Sequence, residues 1–368
     1  MVGSIKRSVL KWCRSDVRTA TAVLVISAST LGCGASSRSA GLPTPLAERH
    51  RDTAVAPART SHAARSVRES GTDGLQSCRG HDGPKAVALP ARVTFGDFWQ
   101  ALAAQVALLD TSALEAAFEA FAARHELNPE TPGLRQDFMR LWVAFEATRD
   151  GGWWRLRWSI TDQEPSSTKI WNDWRRAPPQ SAFALPSAVA ECDEISALFS
   201  VTARRLGVRG VGLFYPTWNH VIAGWTPTAL SEQSDAPVVL IPTTQIFQGC
   251  EATFDQTSFA APKRVYEYPR YDVRDSTEIP TELAAFLLEQ VRAYGEASPR
   301  LLGLIRAKRA ALLRSSLGQC DDYRKKLAAE LIGDLGCADQ RALQHLADEE
   351  LHDPSLKNDA VLSWLAAP

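Results

Sequence analysis

The sequence predicts an α+β fold in which one helix packs on an antiparallel sheet, with helical segments before and after this core. Three observations carry the prediction. A stripe of apolar residues at helical spacing runs from Ile195 to Leu206. Three short β-rich runs, bounded by turn residues, follow it between residues 211 and 245. Apolar residues also recur at helical spacing before residue 149 and after residue 276.

Changes in composition along the 368 residues predict the domain organisation. We divide the chain into a leader (1–33), a linker (34–90), a helical segment (91–149), an α/β core (150–275) and a helical C-terminal domain (276–368). The linker is rich in Ser, Ala, Arg, Gly and Pro, so it buries too little apolar surface to offset its ordering entropy. The net charge of −1 gives no electrostatic basis for binding nucleic acid.

The leader has the pattern of an export signal. Basic residues precede an apolar run, Thr19–Gly32, that is short for a membrane-spanning helix. Gly32-Cys33 resembles a bacterial lipobox, although Thr30 stands where that motif prefers a large aliphatic residue. We therefore expect export to the cell envelope, with the mature chain held at a membrane by a lipid on Cys33. An ordinary cleaved signal peptide, which fits a periplasmic protein, or an uncleaved anchor is the alternative.

Helical stripes flank the core on both sides. The segment before it carries three stripes: Phe95, Phe98, Leu102 and Val106; Leu114, Phe118 and Phe121; Phe138, Leu141, Trp142 and Phe145. The segment after it predicts helices from Thr281, from Ser298-Pro299, around Leu327–Leu335 and from Ala338 onward. We interpret these stripes as core faces and expect no cofactor site in them.

A tryptophan-rich stretch follows Gly151-Gly152. Apolar residues alternate there with polar ones and predict a half-buried strand, Trp154–Ile160. The tryptophans between residues 153 and 174 have two interpretations. They either wall a cleft in front of Cys192 or form the core between the helical layer and the sheet.

Cys192 and His220 are the candidate catalytic pair. Cys192 lies in the first turn of the predicted helix, where the helix dipole favours the thiolate. His220 opens the second of the following strands and is the one histidine between residues 150 and 275. It is placed to take the thiol proton and return it. Against this, Asp193 and Glu194 oppose thiol ionisation, and a helical cysteine is often a small buried apolar residue.

The order of these residues resembles the transglutaminase-like core of the papain-type cysteine enzymes. The resemblance extends from Leu185 to Gln245 and depends on a cysteine that begins a helix, a short strand, and a histidine that begins the next strand. It implies Cys192 as nucleophile and His220 as base. It also implies a peptide or protein substrate whose amide bond is hydrolysed or exchanged through a thioester on Cys192.

The chain departs from the family at the third catalytic residue. In the family an aspartate on the next strand orients the histidine, but here that strand reads Leu240-Ile-Pro-Thr-Thr-Gln245, without a carboxylate. Asp235 precedes the strand and lies at its wrong end. Thr243 or Gln245, which share a face by the period of two, would hold the imidazole through a neutral hydrogen bond.

Gln180 and Trp174 precede the cysteine and are candidate oxyanion donors, since papain-type enzymes place a Gln or Trp upstream of the nucleophile. The missing aspartate supports an alternative function from another class. In that alternative the chain is a catalytically inactive envelope lipoprotein that acts as a binding or structural module.

The chain has seven cysteines, and their number indicates which thiol is free. Two of them, Cys13 and Cys33, belong to the leader. The other five are an odd number, so an exported protein keeps at least one free thiol. We expect Cys192 to be that thiol, which leaves Cys78, Cys250, Cys320 and Cys337 for disulfides. Cys78 and His81 supply too few ligands for zinc, so no metal is expected.

Overall fold

Helices and a small antiparallel sheet together make up the described residues, which confirms the α+β class. The computed structural model describes residues 78, 83–176, 188–217, 220–230, 237–244, 266–267, 273–312 and 335–352. All of them belong to one unit, Val67–Pro368. The predicted leader with Cys33 lies outside the described residues, as does the predicted helix around Leu327–Leu335 except for its last residue.

The described residues contain eight α-helices, two 3₁₀ helices of one turn and eight short strands. The helices are α1 (Phe95–Ala107), α2 (Glu115–Arg124), α3 (Leu134–Thr148), α4 (Thr168–Arg176), α5 (Cys192–Arg205), α6 (Thr281–Tyr294), α7 (Pro299–Leu312) and α8 (Cys337–His352). The strands are β1 (Val93–Thr94), β2 (Arg157–Trp158), β3 (Val189–Ala190), β4 (Val211–Thr217), β5 (His220–Trp225), β6 (Val239–Ile241), β7 (Tyr266–Glu267) and β8 (Glu278–Ile279).

The three helices before the core form where the apolar stripes predict them. Thr94 begins α1 with a capping box, because its hydroxyl accepts from the Asp97 amide and the Asp97 carboxylate accepts from the Thr94 amide. Phe98, Phe118 and Phe138 of the three stripes are buried, at most 1% exposed. This helical layer packs against the C-terminal helices through α1 and α6.

The predicted strand over Trp154–Ile160 is wrong for most of its length. The amides of Trp153 and Trp154 donate to the carbonyls of Glu146 and Ala147, so this part of the chain turns back on the end of α3. Arg155 then adopts a positive φ of 59°, which breaks an extended strand. Only Arg157–Trp158 is a strand, and it pairs in parallel with β3.

The tryptophans belong to the core. Trp153, Trp154, Trp171 and Trp174 are at most 2% exposed. Trp171 and Trp174 meet edge-on with ring centroids 5.0 Å apart, and Trp174 also meets Trp154 edge-on. Of the two interpretations drawn from the sequence, the core between the layers therefore describes these four side chains.

The main sheet has the strand order β6-β5-β4-β7 and is antiparallel throughout. Helix α5 packs on β4 and β5 on one side and on α3 on the other, so the residues from Glu194 to Ala203 are all buried. His220 opens β5 and Gly207 follows the end of α5 with φ 93°, both as predicted. Cys192 thus begins the helix at the centre of the fold.

The C-terminal helices dock through buried polar contacts. Glu349 of α8 accepts hydrogen bonds from Tyr294 (2.9 Å) and Gln290 (2.8 Å) of α6. A disulfide joins Cys337, the first residue of α8, to Cys78 in the predicted linker. Cys192 is a free thiol, as predicted, while Cys250 and Cys320 lie outside the described residues.

Candidate functional site

The start of α5 is held by the residues around Cys192. Glu191 is the N-cap and forms a capping box with Glu194, whose carboxylate accepts from the Glu191 amide at 2.9 Å. The same carboxylate accepts from the Thr161 hydroxyl at 2.9 Å. The sequence therefore forms a stable first turn at this point, and Cys192 is its first helical residue.

The Cys192 thiol lies against the strand that carries His220. Its sulfur accepts backbone hydrogen bonds from the amides of Val221 and Asp193, both of which favour the thiolate. Burial opposes ionisation more strongly, and the carboxylates of Asp193 and Glu191 add to it, so the pKa of the thiol is raised. Cys192 is therefore a protonated thiol near neutral pH.

Asp193 makes the charge beside the thiol depend on pH. Burial, followed by the neighbouring carboxylates of Glu191 and Glu194, raises the pKa of Asp193 to about 7. Glu191 is held in place by the amides of Thr161 and Asp162, at 3.0 and 3.3 Å. The thiol thus has an additional negative neighbour above pH 7 and loses that charge at lower pH.

His220 is buried at the start of β5, with 3% of its surface exposed. Burial lowers the pKa of its imidazole to about 4. The ring is therefore neutral at physiological pH and can accept a proton, although it is a weaker base than an exposed histidine. The candidate pair consists of a neutral thiol and a neutral imidazole on adjoining elements.

Ser196, one turn after Cys192, links the helix to two strands. Its hydroxyl lies 2.6 Å from the Cys192 carbonyl, 3.3 Å from the Val221 carbonyl and 2.5 Å from the Thr243 hydroxyl. Ser196 and Thr243 are both fully buried. Both backbone groups of Val221 therefore face α5, the amide towards the Cys192 thiol and the carbonyl towards the Ser196 hydroxyl.

The remaining predicted site residues fall in different places. Thr243 lies next to α5 and contacts Ser196. Trp174 is buried in the core, and its indole N–H makes no hydrogen bond to the described residues. Gln180, Gln245 and Cys33 lie outside the described residues.

Ser196 and the Val221 amide were not among the residues predicted from the sequence. Ser196 had one signal, because it is a polar residue one turn from Cys192 among the apolar residues Ile195, Leu198 and Phe199. The Val221 amide had none, since a backbone group acquires its role only when the helix and the strand meet.

The described residues also bear on two other kinds of site, a metal centre and a membrane span. No group of three or more His, Cys, Asp or Glu there is arranged to hold a metal ion. None of the described helices alone has the length and apolarity of a membrane span, although the bent pair Phe95–Ala107 and Ser112–Arg124 meets both criteria jointly. Buried residues of that pair, such as Phe98 and Phe118, pack in the protein core.

Comparison with known proteins found no matching family model, no matching curated protein and no matching solved structure.

Proposed function

We propose that this chain is an exported cysteine enzyme of the transglutaminase-like type, with a papain-like core, that hydrolyses or exchanges amide bonds through a thioester on Cys192. The observation that supports it most is the contact between the Cys192 sulfur and the Val221 amide, directly after His220. A free thiol at the start of the central helix thereby adjoins the first residues of the strand that begins with the histidine.

In this reaction Cys192 is the nucleophile and His220 is the base. Imidazole takes the thiol proton as the sulfur attacks the carbonyl carbon of a peptide or protein amide. The carbon–nitrogen bond then breaks, and the imidazolium returns the proton to the leaving amine. Water or a second amine attacks the thioester and frees the thiol, which gives hydrolysis or exchange. A base with a pKa of about 4 and a protonated thiol support a slow enzyme.

Export and lipid anchoring at Cys33 belong to the same proposal and are supported by the leader sequence alone. A lipid-anchored enzyme would act on peptides or proteins of the cell envelope.

The second candidate function is a catalytically inactive envelope module that binds or supports other components. The raised pKa of the Cys192 thiol favours it, because an unactivated thiol is a poor nucleophile. In this case the half-buried Cys192 side chain packs against the core and caps the Val221 amide.

Acylation by p-nitrophenyl acetate separates the two functions. The full chain, purified in detergent, is mixed with the ester, and the burst of nitrophenolate is followed at pH 7.5. The enzyme proposal expects one equivalent per chain, none with Cys192→Ser, and a burst about 100-fold slower with His220→Gln, as for loss of a general base. Equal burst rates in wild type and His220→Gln would establish the inactive module instead.

A further inference from the structure

The strand pairing of the main sheet leaves out Val221, the second residue of β5. On one side His220 and Ile222 pair with β4, but the register shifts between them and passes over Val221. On the other side the pairing of β5 with β6 ends at Ala223. Val221 is buried, so its backbone amide and carbonyl need partners inside the protein.

Two side chains of α5 supply these partners. The Cys192 sulfur accepts a hydrogen bond from the Val221 amide, and the Ser196 hydroxyl lies 3.3 Å from the Val221 carbonyl. Cys192 and Ser196 are four residues apart, so they lie one above the other on the same face of the helix. For this one residue of β5, the start of α5 takes the place of a neighbouring strand.

The Ser196 hydroxyl meets three different elements at one oxygen atom. It donates to the carbonyls of Cys192, at 2.6 Å, and Val221, at 3.3 Å, with its one proton between them. The contact of 2.5 Å with Thr243 is then made by the Thr243 hydroxyl donating to Ser196. Because Ser196 is fully buried, water does not replace any of these contacts.

A buried helical serine often bonds only to the carbonyl one turn back, and Ser200 is such a case. Ser200 lies one turn after Ser196, is also fully buried, and donates to the Ser196 carbonyl at 2.8 Å. Ser196 makes the same bond to Cys192 but also contacts Val221 and Thr243. The two serines therefore differ in the contacts that join the helix to the strands.

We propose that Ser196 is the positioning residue of the candidate site, because its hydroxyl holds the Val221 carbonyl against α5 and so keeps the Val221 amide at the Cys192 sulfur. His220 directly precedes Val221. The same contact therefore fixes the start of the strand that carries the base relative to the helix that carries the thiol. The catalytic use of this alignment rests on the proposed function, whereas the alignment itself does not.

The test compares Ser196→Ala with its matched control Ser200→Ala in the full chain. The pKa of the Cys192 thiol is taken from the pH dependence of its alkylation by iodoacetamide, followed by mass spectrometry of the peptide that contains it. The carboxylates beside the thiol, Glu191 and Asp193, are the same in both variants. An amide that donates to a thiolate lowers its pKa, so Ser196→Ala is expected to raise the thiol pKa by about half a unit and Ser200→Ala to leave it unchanged. An equal rise in both variants, or no rise in Ser196→Ala, overturns the proposal.

A measurement on the wild type keeps the test decisive if Ser196→Ala does not fold. The NMR signal of the Val221 amide is followed in isotope-labelled protein as the Cys192 thiol titrates. Burial raises the pKa of this thiol, so it titrates above Asp193, with a pKa of about 7, and His220, with a pKa of about 4. The Val221 signal is expected to shift with the thiol. A signal that does not follow the thiol removes the contact and overturns the proposal.

The nitrophenolate burst, recorded in parallel, separates the alignment from the reaction. Misplacement of reacting groups slows a reaction steeply, so Ser196→Ala is expected to be about 10-fold slower than wild type and Ser200→Ala within about two-fold of it. A raised thiol pKa in Ser196→Ala without any burst from the wild type leaves Ser196 as the residue that aligns the thiol and refutes the proposed enzyme.

Discussion

Replacement of His220 by Gln is expected to remove an acid-dependent loss of stability. His220 is buried, and its pKa falls from 6.5 to about 4 on folding because burial disfavours the imidazolium. Between those two values the unfolded chain binds a proton at this residue and the folded chain does not. The stabilisation is therefore fully present above pH 6.5 and is lost as the pH falls towards 4.

The size of the effect follows from the two pKa values. One pKa unit corresponds to about 1.4 kcal/mol, so the full difference amounts to about 3 kcal/mol. Between pH 7 and pH 4.5 the wild type should lose about 2.5 kcal/mol of unfolding free energy through this residue. Asp193 acts in the other direction, because its raised pKa makes the folded chain hold a proton more tightly than the unfolded chain.

Urea denaturation of wild type and His220→Gln at pH 7, 5.5 and 4.5 isolates the His220 contribution. The other groups titrate equally in both proteins, so the difference between the two unfolding free energies should change by about 2.5 kcal/mol over this range. A constant difference across the three pH values would refute the assignment of a buried, neutral imidazole. The test uses only the change of this difference with pH, and not the unfolding free energy that the substitution itself costs at pH 7.

Three further predictions concern the cysteines. Asp193→Asn should accelerate alkylation of Cys192 by iodoacetamide about three-fold at pH 8.5, where Asp193 is ionised, and have little effect at pH 6; equal rates at pH 8.5 would contradict the charge assignment. Cys78→Ser should lower the unfolding free energy by about 5 kcal/mol, because the disulfide links residues 259 positions apart and so closes a long loop; urea titration measures this, and an unchanged midpoint argues against the bond. Cys33→Ala should release the protein from membranes, which fractionation and the mass of the mature chain will check.

The helices were the most predictable part of this fold. The Phe95, Phe118 and Phe138 stripes and the stripe after Cys192 each span several turns, and burial of one face is a local property of such a pattern. The prediction of a strand over Trp154–Ile160 was wrong for most of its length, because alternation over seven residues is a weak signal. Contacts with α3 bend that stretch, and no local pattern encodes them.

The candidate site also has a part that the sequence predicts and a part that it does not. A cysteine at a helix start and a histidine at a strand start are local features, so Cys192 and His220 could be located along the chain. The contact between Thr243 and Ser196 could not be predicted, because it depends on how the end of β6 meets α5 in the folded chain.

The sequence alone determined the α+β class, the positions of Cys192 and His220 on their elements, and the expectation of a free thiol. The tertiary structure decided their chemistry. It buries the imidazole, places the Val221 amide at the sulfur and gathers Asp193 and Glu191 beside it, and these contacts set the pKa of each group. Periodicity encodes which residues are buried, but a pKa depends on the particular charges and dipoles that packing brings together from distant parts of the chain.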